Sequence, residues 1–555
     1  MKSTMMPSPL LISSMLDRAA KLFSGVEIVS SRPNGSRHRY TNRDLHRRAL
    51  RLAAALQRAG LAKGDRVATL MWNCSEHLEA YFGIPAAGAV VHTLSLRQHP
   101  DELVYIMNHA QDRFLIVEDV LLDVFERIRS RIRCERVLVV DRGSGRLPEG
   151  AEPYEDFLTG HGEPSELIDP DLTEDDACAM CYTSGTTGRP KGVLYSHRAI
   201  ALHSLAISLP DQISISRFDT VLPIVPMFHA NAWGVPYAAT MNGSKQVLPG
   251  RNLQPDALLD LIQDEHVTLA GGVPTIWLAV LNALDHHPGR WKLTRGLRVF
   301  VGGAAAPESM IRRFDKLGVH LIHGWGMTET APVATSCTLK PEMASWSEDE
   351  RYALRARQGL PLPFIETRVI GDEGEAPWDG ETTGELEVRG PWVAASYYDA
   401  AQPDKWTGDG WFRTGDMVTI DSGGYVKITD RVKDLIKSGG EWISSVDVEN
   451  TLVGHEAIRE AAVIAVPHPK WQERPLAVVI LKEGRTVEPS ELRAFLAQTF
   501  ASWQVPDAFV FVNQLPYTST GKVLKRKLRE DFADWQWEAT GSAELNSQPA
   551  PVPHP

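Results

Sequence analysis

The sequence predicts an α/β protein in two parts: a large N-terminal domain of layered α/β subdomains with a β-rich lobe, and a small α+β C-terminal domain. Three observations carry this. The chain has 555 residues, more than one hydrophobic core organises. Over the first two thirds, segments of helical periodicity alternate with short apolar runs, the pattern of largely parallel sheets covered by helices. From about Gly384 the texture changes to short alternating strands.

The elements follow in order. The opening MKSTMMPSPLLISSMLDRAAKLF breaks its apolar stretch at Ser13 and Ser14 and ends it at Asp17 and Arg18, so no signal-peptide core forms. Thr41 to Asp44 reads as a capping box, opening a helix with Leu45, Ala49, Leu52 and Leu56 on one face and Gly60 at its end. The strand VATLMW follows Gly64 and Asp65; a helix in DELVYIMNHA precedes the run FLIVED, and another in DALLDLIQDEHV precedes TLAGGVP. The lobe holds GELEVRG, DMVTI and GYVKI, the last two joined by the turn Asp421-Ser422-Gly423-Gly424. Beyond DRVKDLIKSGG come the strand-loop-strand EAAVIAVPHPKWQERPLAVVIL, a helix with Leu492, Phe495, Leu496 and Phe500, and the strand AFVFV. The large domain is expected over 1–429 and the small one over 434–538, with a proline-rich, disordered tail over 539–555. No internal repeat is visible.

The formal net charge of -12 argues against general nucleic-acid binding, which needs a basic surface. No run approaches the roughly 18 apolar residues of a membrane-spanning helix, so a cytoplasmic protein is expected, with peripheral membrane contact left open. Five cysteines make no disulfide framework and fit a reducing compartment. Cys178 and Cys181 form a CxxC without a second pair, and read better as buried strand residues than as zinc ligands.

Positions 182 to 193 read YTSGTTGRPKGV, a glycine-rich turn with hydroxyls and a lysine after the apolar ACAMC. Such a turn aims backbone N–H groups at an anion. The Walker spacing GxxxxGK[ST] is absent, because Gly185 and Gly188 are followed by Arg189-Pro190-Lys191-Gly192, and no GxGxxG occurs there.

The loop resembles the phosphate signature of the AMP-forming adenylating superfamily of acyl-CoA synthetases, luciferases and carrier-loading adenylation domains. PMFHANAW at 226, GGAAAP at 302, GWGMTET at 324, WFRTGD at 411, DRVKDLIKSGGEWIS at 430 and TSTGKVLKRKL at 518 resemble its later motifs in the same order. HANAW and LIKSGGEWISSVD are most similar to bacterial medium- and long-chain fatty-acid–CoA ligases. The resemblance implies two steps. A carboxylate attacks the α-phosphate of ATP, giving acyl-AMP and pyrophosphate; the thiol of coenzyme A then displaces AMP. It also implies a small domain that rotates about a hinge at 430–433, and a homodimer.

The resemblance assigns roles residue by residue. Thr183, Ser184, Gly185, Thr186, Thr187, Gly188 and Lys191 would cradle the β- and γ-phosphates, with Thr183 and Glu329 at Mg2+. Gly302, Gly303, His323, Gly324, Trp325, Thr328 and Trp442 would meet the nucleotide, Trp325 stacking on adenine. Relatives carry Gln at the position of His323 and Tyr at that of Trp325. Asp416 would accept the ribose hydroxyls with Arg431 in support, and Lys433 would be the hinge. Lys522 would reach the α-phosphate and substrate carboxylate in the first step. After rotation Lys437, Ser438, Gly439 and Gly440 would face the site and admit coenzyme A. His229 would stand beside the reacting carboxylate, and Trp233 would gate the acyl tunnel. Three other readings stay open: loading of a carrier protein, a short functionalised acid such as a methylthio-alkanoate or aryl acid, and a nucleotide-sensing scaffold with a dead site. Intact Lys191, Glu329, Asp416 and Lys522 weigh against the last.

Overall fold

The structure is a computed structural model that describes residues 1, 3–161, 163–183, 189–431, 433–438, 441–517 and 522–537. Ser184 to Gly188, Gly439, Gly440 and the 539–555 tail therefore lie outside the described residues.

Among the described residues, two large sheets form the first part of the chain. The seven-stranded one runs Glu152–Pro153, Arg136–Val140, Asp112–Glu118, Arg66–Leu70, Val90–Thr93, Ala177–Tyr182, Gly192–Ser196. Only its last pair, Ala177–Tyr182 with Gly192–Ser196, is antiparallel. The nine-stranded one has Thr220–Pro223, Leu269–Gly272, Arg298–Val301 and His320–Gly326 as parallel neighbours at its centre. A hairpin, Glu27–Ser31 with Arg37–Thr41, extends it at one edge.

The helix Ser75–Ala86 touches strands of both large sheets and is buried along its whole length. Its sequence, SEHLEAYFGIPA, explains how it can be. The apolar residues face all round, and the buried charges are matched: Glu76 pairs with Arg142 at 2.9 Å and Glu79 with Arg48 at 2.7 Å. His77 bonds Thr69 at 3.0 Å and the Trp72 carbonyl at 3.0 Å. Buried charge without such partners would cost several kcal/mol per ion. A side chain at Gly83 would lie 2.6 Å from the Ala49 carbonyl, so at this point the helix approaches the backbone of its neighbour, Asn42–Arg58. That neighbour begins with the expected capping box: the Asp44 N–H donates to Thr41 Oγ1 and Asp44 Oδ2 accepts from the Thr41 N–H.

The β-rich lobe is a five-stranded antiparallel sheet, Gly374–Glu375, Glu366–Gly371, Gly384–Arg389, Phe412–Ile420, Val426–Arg431. It starts about twenty residues before the change of texture at Gly384. ETRVIG escapes sequence reading because only Val369 in it is buried, leaving no apolar alternation. The small sheet begins at Ile436–Ser438 and is built on the long pair Ile458–His468 with Gln472–Leu481, flanked by Ala508–Phe511. Leu492 and Leu496 of the helix Pro489–Leu496 close its core. Among the described residues no helix is long and apolar enough to cross a membrane.

Candidate active site

A cavity of about 670 Å³ opens where the two large sheets, the lobe and the small domain meet. Thr183 reaches it because it directly follows the buried strand Ala177–Tyr182. The two ends of the glycine-rich loop are pinned together: the Thr183 N–H donates to the Lys191 carbonyl at 2.9 Å and the Lys191 N–H to Thr183 Oγ1 at 3.3 Å. Lys191 Nζ donates to Gln402 at 2.7 Å and stands 5.0 Å from the Tyr397 ring; burial and Lys405 lower its pKa against the pull of Glu329. Glu329 is buried in the turn after Gly326, and its Oε1 accepts from the Tyr397 hydroxyl at 2.6 Å. No group of three His, Cys, Asp or Glu residues among the described ones could hold a metal alone. The donors present, the Glu329 carboxylate and the Thr183 hydroxyl, are hard oxygens that suit Mg2+ provided phosphate supplies the remaining oxygens.

The nucleoside end is built on close backbone. Gly302 has the Gly324 carbonyl 3.2 Å from where a Cβ would lie, and Gly303 has φ +82° with Val273 Cγ1 at 3.3 Å, so side chains at either would crowd the cleft. The Thr328 carbonyl accepts from the Tyr195 hydroxyl at 2.6 Å, fixing the turn that carries Glu329. Trp325 Nε1 donates to Asp416 Oδ2 at 2.8 Å, and Arg431 Nε lies 2.6 Å from Asp416 Oδ1. The carboxylate is thereby held from both sides at the end of the lobe.

His323 lines the cavity, with both ring nitrogens engaged by backbone. Its Nδ1 lies 3.0 Å from the Ala356 carbonyl and its Nε2 accepts from the Ala306 N–H at 3.3 Å. Burial lowers its pKa to about 4, so the ring is neutral with the proton on Nδ1. Both nitrogens are spent on backbone, and the ring braces the 302–307 loop.

The acyl side is unusual in its backbone. Ala230, Asn231, Ala232 and Trp233 take φ of 37°, 43°, 51° and 58° in succession, followed by Gly234 at 73°. Left-handed non-glycine residues cost about 1 kcal/mol each, and Asn231 holds the turn. The Cys181 thiol donates to Asn231 Oδ1 at 2.5 Å and Asn231 Nδ2 donates to the Tyr237 hydroxyl at 3.3 Å. The turn lays the Trp233 indole edge-on to Phe300 at 5.5 Å and within 4.0 Å of the Cβ positions of Gly271, Gly302 and Gly303. His229 lines the same cavity; burial first, then Lys522 and Arg97, lower its pKa to about 3, so it is neutral.

From the small domain Lys522 enters this cavity, its Cε 3.6 Å from the Gly303 Cβ position. Burial, then Arg431, lower its pKa to about 8 against Asp416 and Glu329. Lys433 also lines the cavity and is exposed. Lys437, Ser438 and Trp442 do not. Lys437 Nζ stands 5.3 Å from the Trp442 ring, which is 52% exposed, and Ser438 Oγ accepts from Arg474 at 3.0 Å. Trp442 thus departs from its expected place at the nucleotide in this arrangement: it pairs across a two-strand turn with Lys437 and shares its face. Tyr397 and Arg97 also belong to the site without a motif to announce them, and Asn231, inside HANAW, holds the turn beside it. The one available signal was the Asn inside HANAW, the residue type that best tolerates a left-handed backbone.

The description "AMP-binding enzyme" matches residues 16–398, and "AMP-binding enzyme C-terminal domain" matches 447–522. The chain belongs to the AMP-binding enzyme family. It is 49% identical to a long-chain-fatty-acid–CoA ligase of Thermus thermophilus, over 96% of this chain and 97% of that one. It is 46% identical to a 3-methylmercaptopropionyl-CoA ligase of Ruegeria pomeroyi, over 96% and 99%. The fold matches the crystal structure of ATP-bound MatB from Rhodopseudomonas palustris with a TM-score of 0.78 at 28% identity, covering 94% of this chain and 99% of that one. This member of the family is an AMP-forming acid–CoA ligase that uses ATP.

Proposed function

We propose that the acid is a medium- to long-chain fatty acid, and that the residues around the cavity divide the work as follows. The loop from Thr183 to Lys191 takes the β- and γ-phosphates. Glu329, oriented by Tyr397, and Thr183 hold Mg2+, which when bound screens the triphosphate from the incoming carboxylate. Asp416, fixed by Trp325 and Arg431, accepts the ribose hydroxyls. Neutral His229 stands by the carboxylate without adding charge, and the Lys522 ammonium bridges the carboxylate and the α-phosphate. An oxygen of the carboxylate attacks phosphorus and the P–O bond to pyrophosphate breaks, so charge moves towards groups already positioned to hold it. In the second step the small domain turns about Lys433, withdrawing Lys522 and presenting Lys437, Ser438 and the glycines after them to coenzyme A. The thiol then forms the C–S bond as AMP leaves. The active form is a homodimer on this reading.

The observation that carries the fatty-acid reading is the seat of Trp233. Its buried indole fills a slot floored by Gly271, Gly302 and Gly303 and backed by Phe300, with Val273 and Lys522 at its Gly303 end. Each methylene buried there contributes about 0.8 kcal/mol, so the specificity constant rises about three- to fourfold per carbon until the tunnel ends. The 46% identity to the methylmercaptopropionyl-CoA ligase favours a short, functionalised acid as the second reading; with the indole fixed, the series peaks at a few carbons. AMP release measured for C4 to C16 acids decides between them. A flat or falling series beyond C4 rules out the fatty acid. Trp233→Ala should weaken the dependence of acid binding on bound nucleotide with ATP affinity unchanged; a coupling that survives the change removes the gate alone.

A further inference from the structure

Three residues beyond Lys522, the side chain of Lys525 is buried at the root of the small domain. Its Nζ lies 2.7 Å from Glu449 Oε1 and donates to Ser445 Oγ at 2.6 Å. Ser445 in turn gives both its hydroxyl and its N–H to Asp430 Oδ2, each at 2.7 Å. Asp430 is fully buried and belongs to the last strand of the lobe, where it pairs with Met417, so its backbone moves with the large domain. Ser445, Glu449 and Lys525 belong to the small domain. A continuous polar chain therefore runs from the large domain, through Ser445, to the segment that delivers Lys522.

We propose that Asp430 is a positioning residue for the first half-reaction: through Ser445 and Lys525 it locks the small domain where Lys522 reaches the cavity, and the Asp430–Ser445 bonds part when the domain turns. Within this polar chain only that link need break. Lys525–Glu449 lies wholly within the small domain, as does Arg529–Asp434 at 2.6 Å, which ties the same helix to the residue after Lys433. Burial pushes the Asp430 and Glu449 carboxyls up while Lys525 pulls each back. On Lys525 burial acts downward, and Glu449 with Asp430 outweighs it, so the pKa stands above the ordinary lysine range. Hydrogen bonds to an ionised acceptor in such surroundings are the strong kind, and losing a pair of them is felt.

The inference rests on the two-step ligase reaction and not on the identity of the acid. The test is therefore run with any acid the wild-type enzyme adenylates. ATP–pyrophosphate exchange reads the first step; thioester formation from supplied acyl-AMP and coenzyme A reads the second. Asp430→Ala should lower kcat of exchange about tenfold, with KM for ATP and acid unchanged, because neither Asp430 nor Lys525 is asked to touch substrate. Thioester formation should hold or quicken. Asp430→Asn keeps an oxygen that can accept from both Ser445 donors and should recover most of the rate. Ser445→Ala removes one link without touching the strand and should fall the same way, by about threefold; it decides the matter if Asp430→Ala does not fold. Equal loss in both half-reactions, no loss in either, or a rise in KM at unchanged kcat would overturn the proposal. A wild-type enzyme that adenylates only short acids would count against the fatty-acid reading and leave this comparison intact.

Discussion

Raising the pH should disarm adenylation before it affects thioester formation, and the cause is one amine. Lys522 sits in the cleft with its pKa lowered to about 8, first by burial and next by Arg431. If the first step uses the ammonium form, about nine tenths of the free enzyme is competent at pH 7 and about one tenth at pH 9. The kcat/KM for pyrophosphate exchange, which reports groups of the free enzyme, should then fall about tenfold per pH unit above 8. kcat itself should hold to higher pH, since a bound triphosphate favours the charged amine. Lys522→Arg supplies the control: its guanidinium stays charged across the range, so the limb near pH 8 should vanish whatever the absolute rate. Exchange is measured from pH 6.5 to 10 at constant ionic strength, together with thioester formation from supplied acyl-AMP. A limb at the ordinary lysine value of about 10.4, or one that persists in Lys522→Arg, would refute the assignment.

Glu329→Gln keeps the size of the side chain and the Tyr397 contact but removes the charge; adenylation should need more Mg2+ and slow at least tenfold, and an unchanged Mg2+ titration of exchange would count against the ligand role. Lys433→Pro fixes φ near -65°, so thioester formation should drop much further than exchange, and wild-type rates in both would remove Lys433 as the hinge. Lys522→Met should make the folded chain more stable at pH 7. The folded pKa lies below the unfolded one, so the charged amine is penalised below pH 8 by up to about 3 kcal/mol, and the penalty fades as pH rises from 8 towards 10.4. Urea denaturation at pH 7 and pH 10 reads the difference; a variant less stable than wild type at pH 7 contradicts the burial of the amine.

What the sequence made legible follows from how each feature is encoded. Periodicity and caps mark the helix Asn42–Arg58, because its start, its apolar face and the Gly60 stop are all local. The strand Glu366–Gly371 is hidden, because it packs through backbone pairing and one buried valine. In the site, residues within contiguous motifs were found, including Lys191, Glu329, Asp416 and Lys522, which converge on one cavity from four separate parts of the chain. Residues whose role depends on a partner far away in sequence were not. Tyr397 matters through Glu329, 68 positions earlier; Asn231, although inside a motif, matters through Cys181, 50 positions earlier. His323 shows the converse: its place in the motif suggested the base, and only the positions of the Ala306 and Ala356 backbones reveal that its nitrogens are taken.

In the two-step mechanism proposed above, the burial of Lys522 also bears on why the small domain can leave. An ammonium whose pKa burial lowers to about 8 raises the energy of this arrangement by roughly 3 kcal/mol, and among the nearby cations Arg431 adds to that rise. Contacts across the joint oppose it: Asp430 with Ser445, Lys427 with Asp447 at 3.0 Å, and Ser444 with the Thr429 carbonyl. These contacts lie between residues 427 and 447, on either side of Lys433. Triphosphate in the cleft adds negative charge around Lys522 to that of Asp416 and Glu329 and favours the arrangement described here. Once pyrophosphate has left, much of that counter-charge leaves with it, and the penalty on the amine returns. The order of the two half-reactions then follows from electrostatics: the product of the first step is what makes the arrangement for it unfavourable.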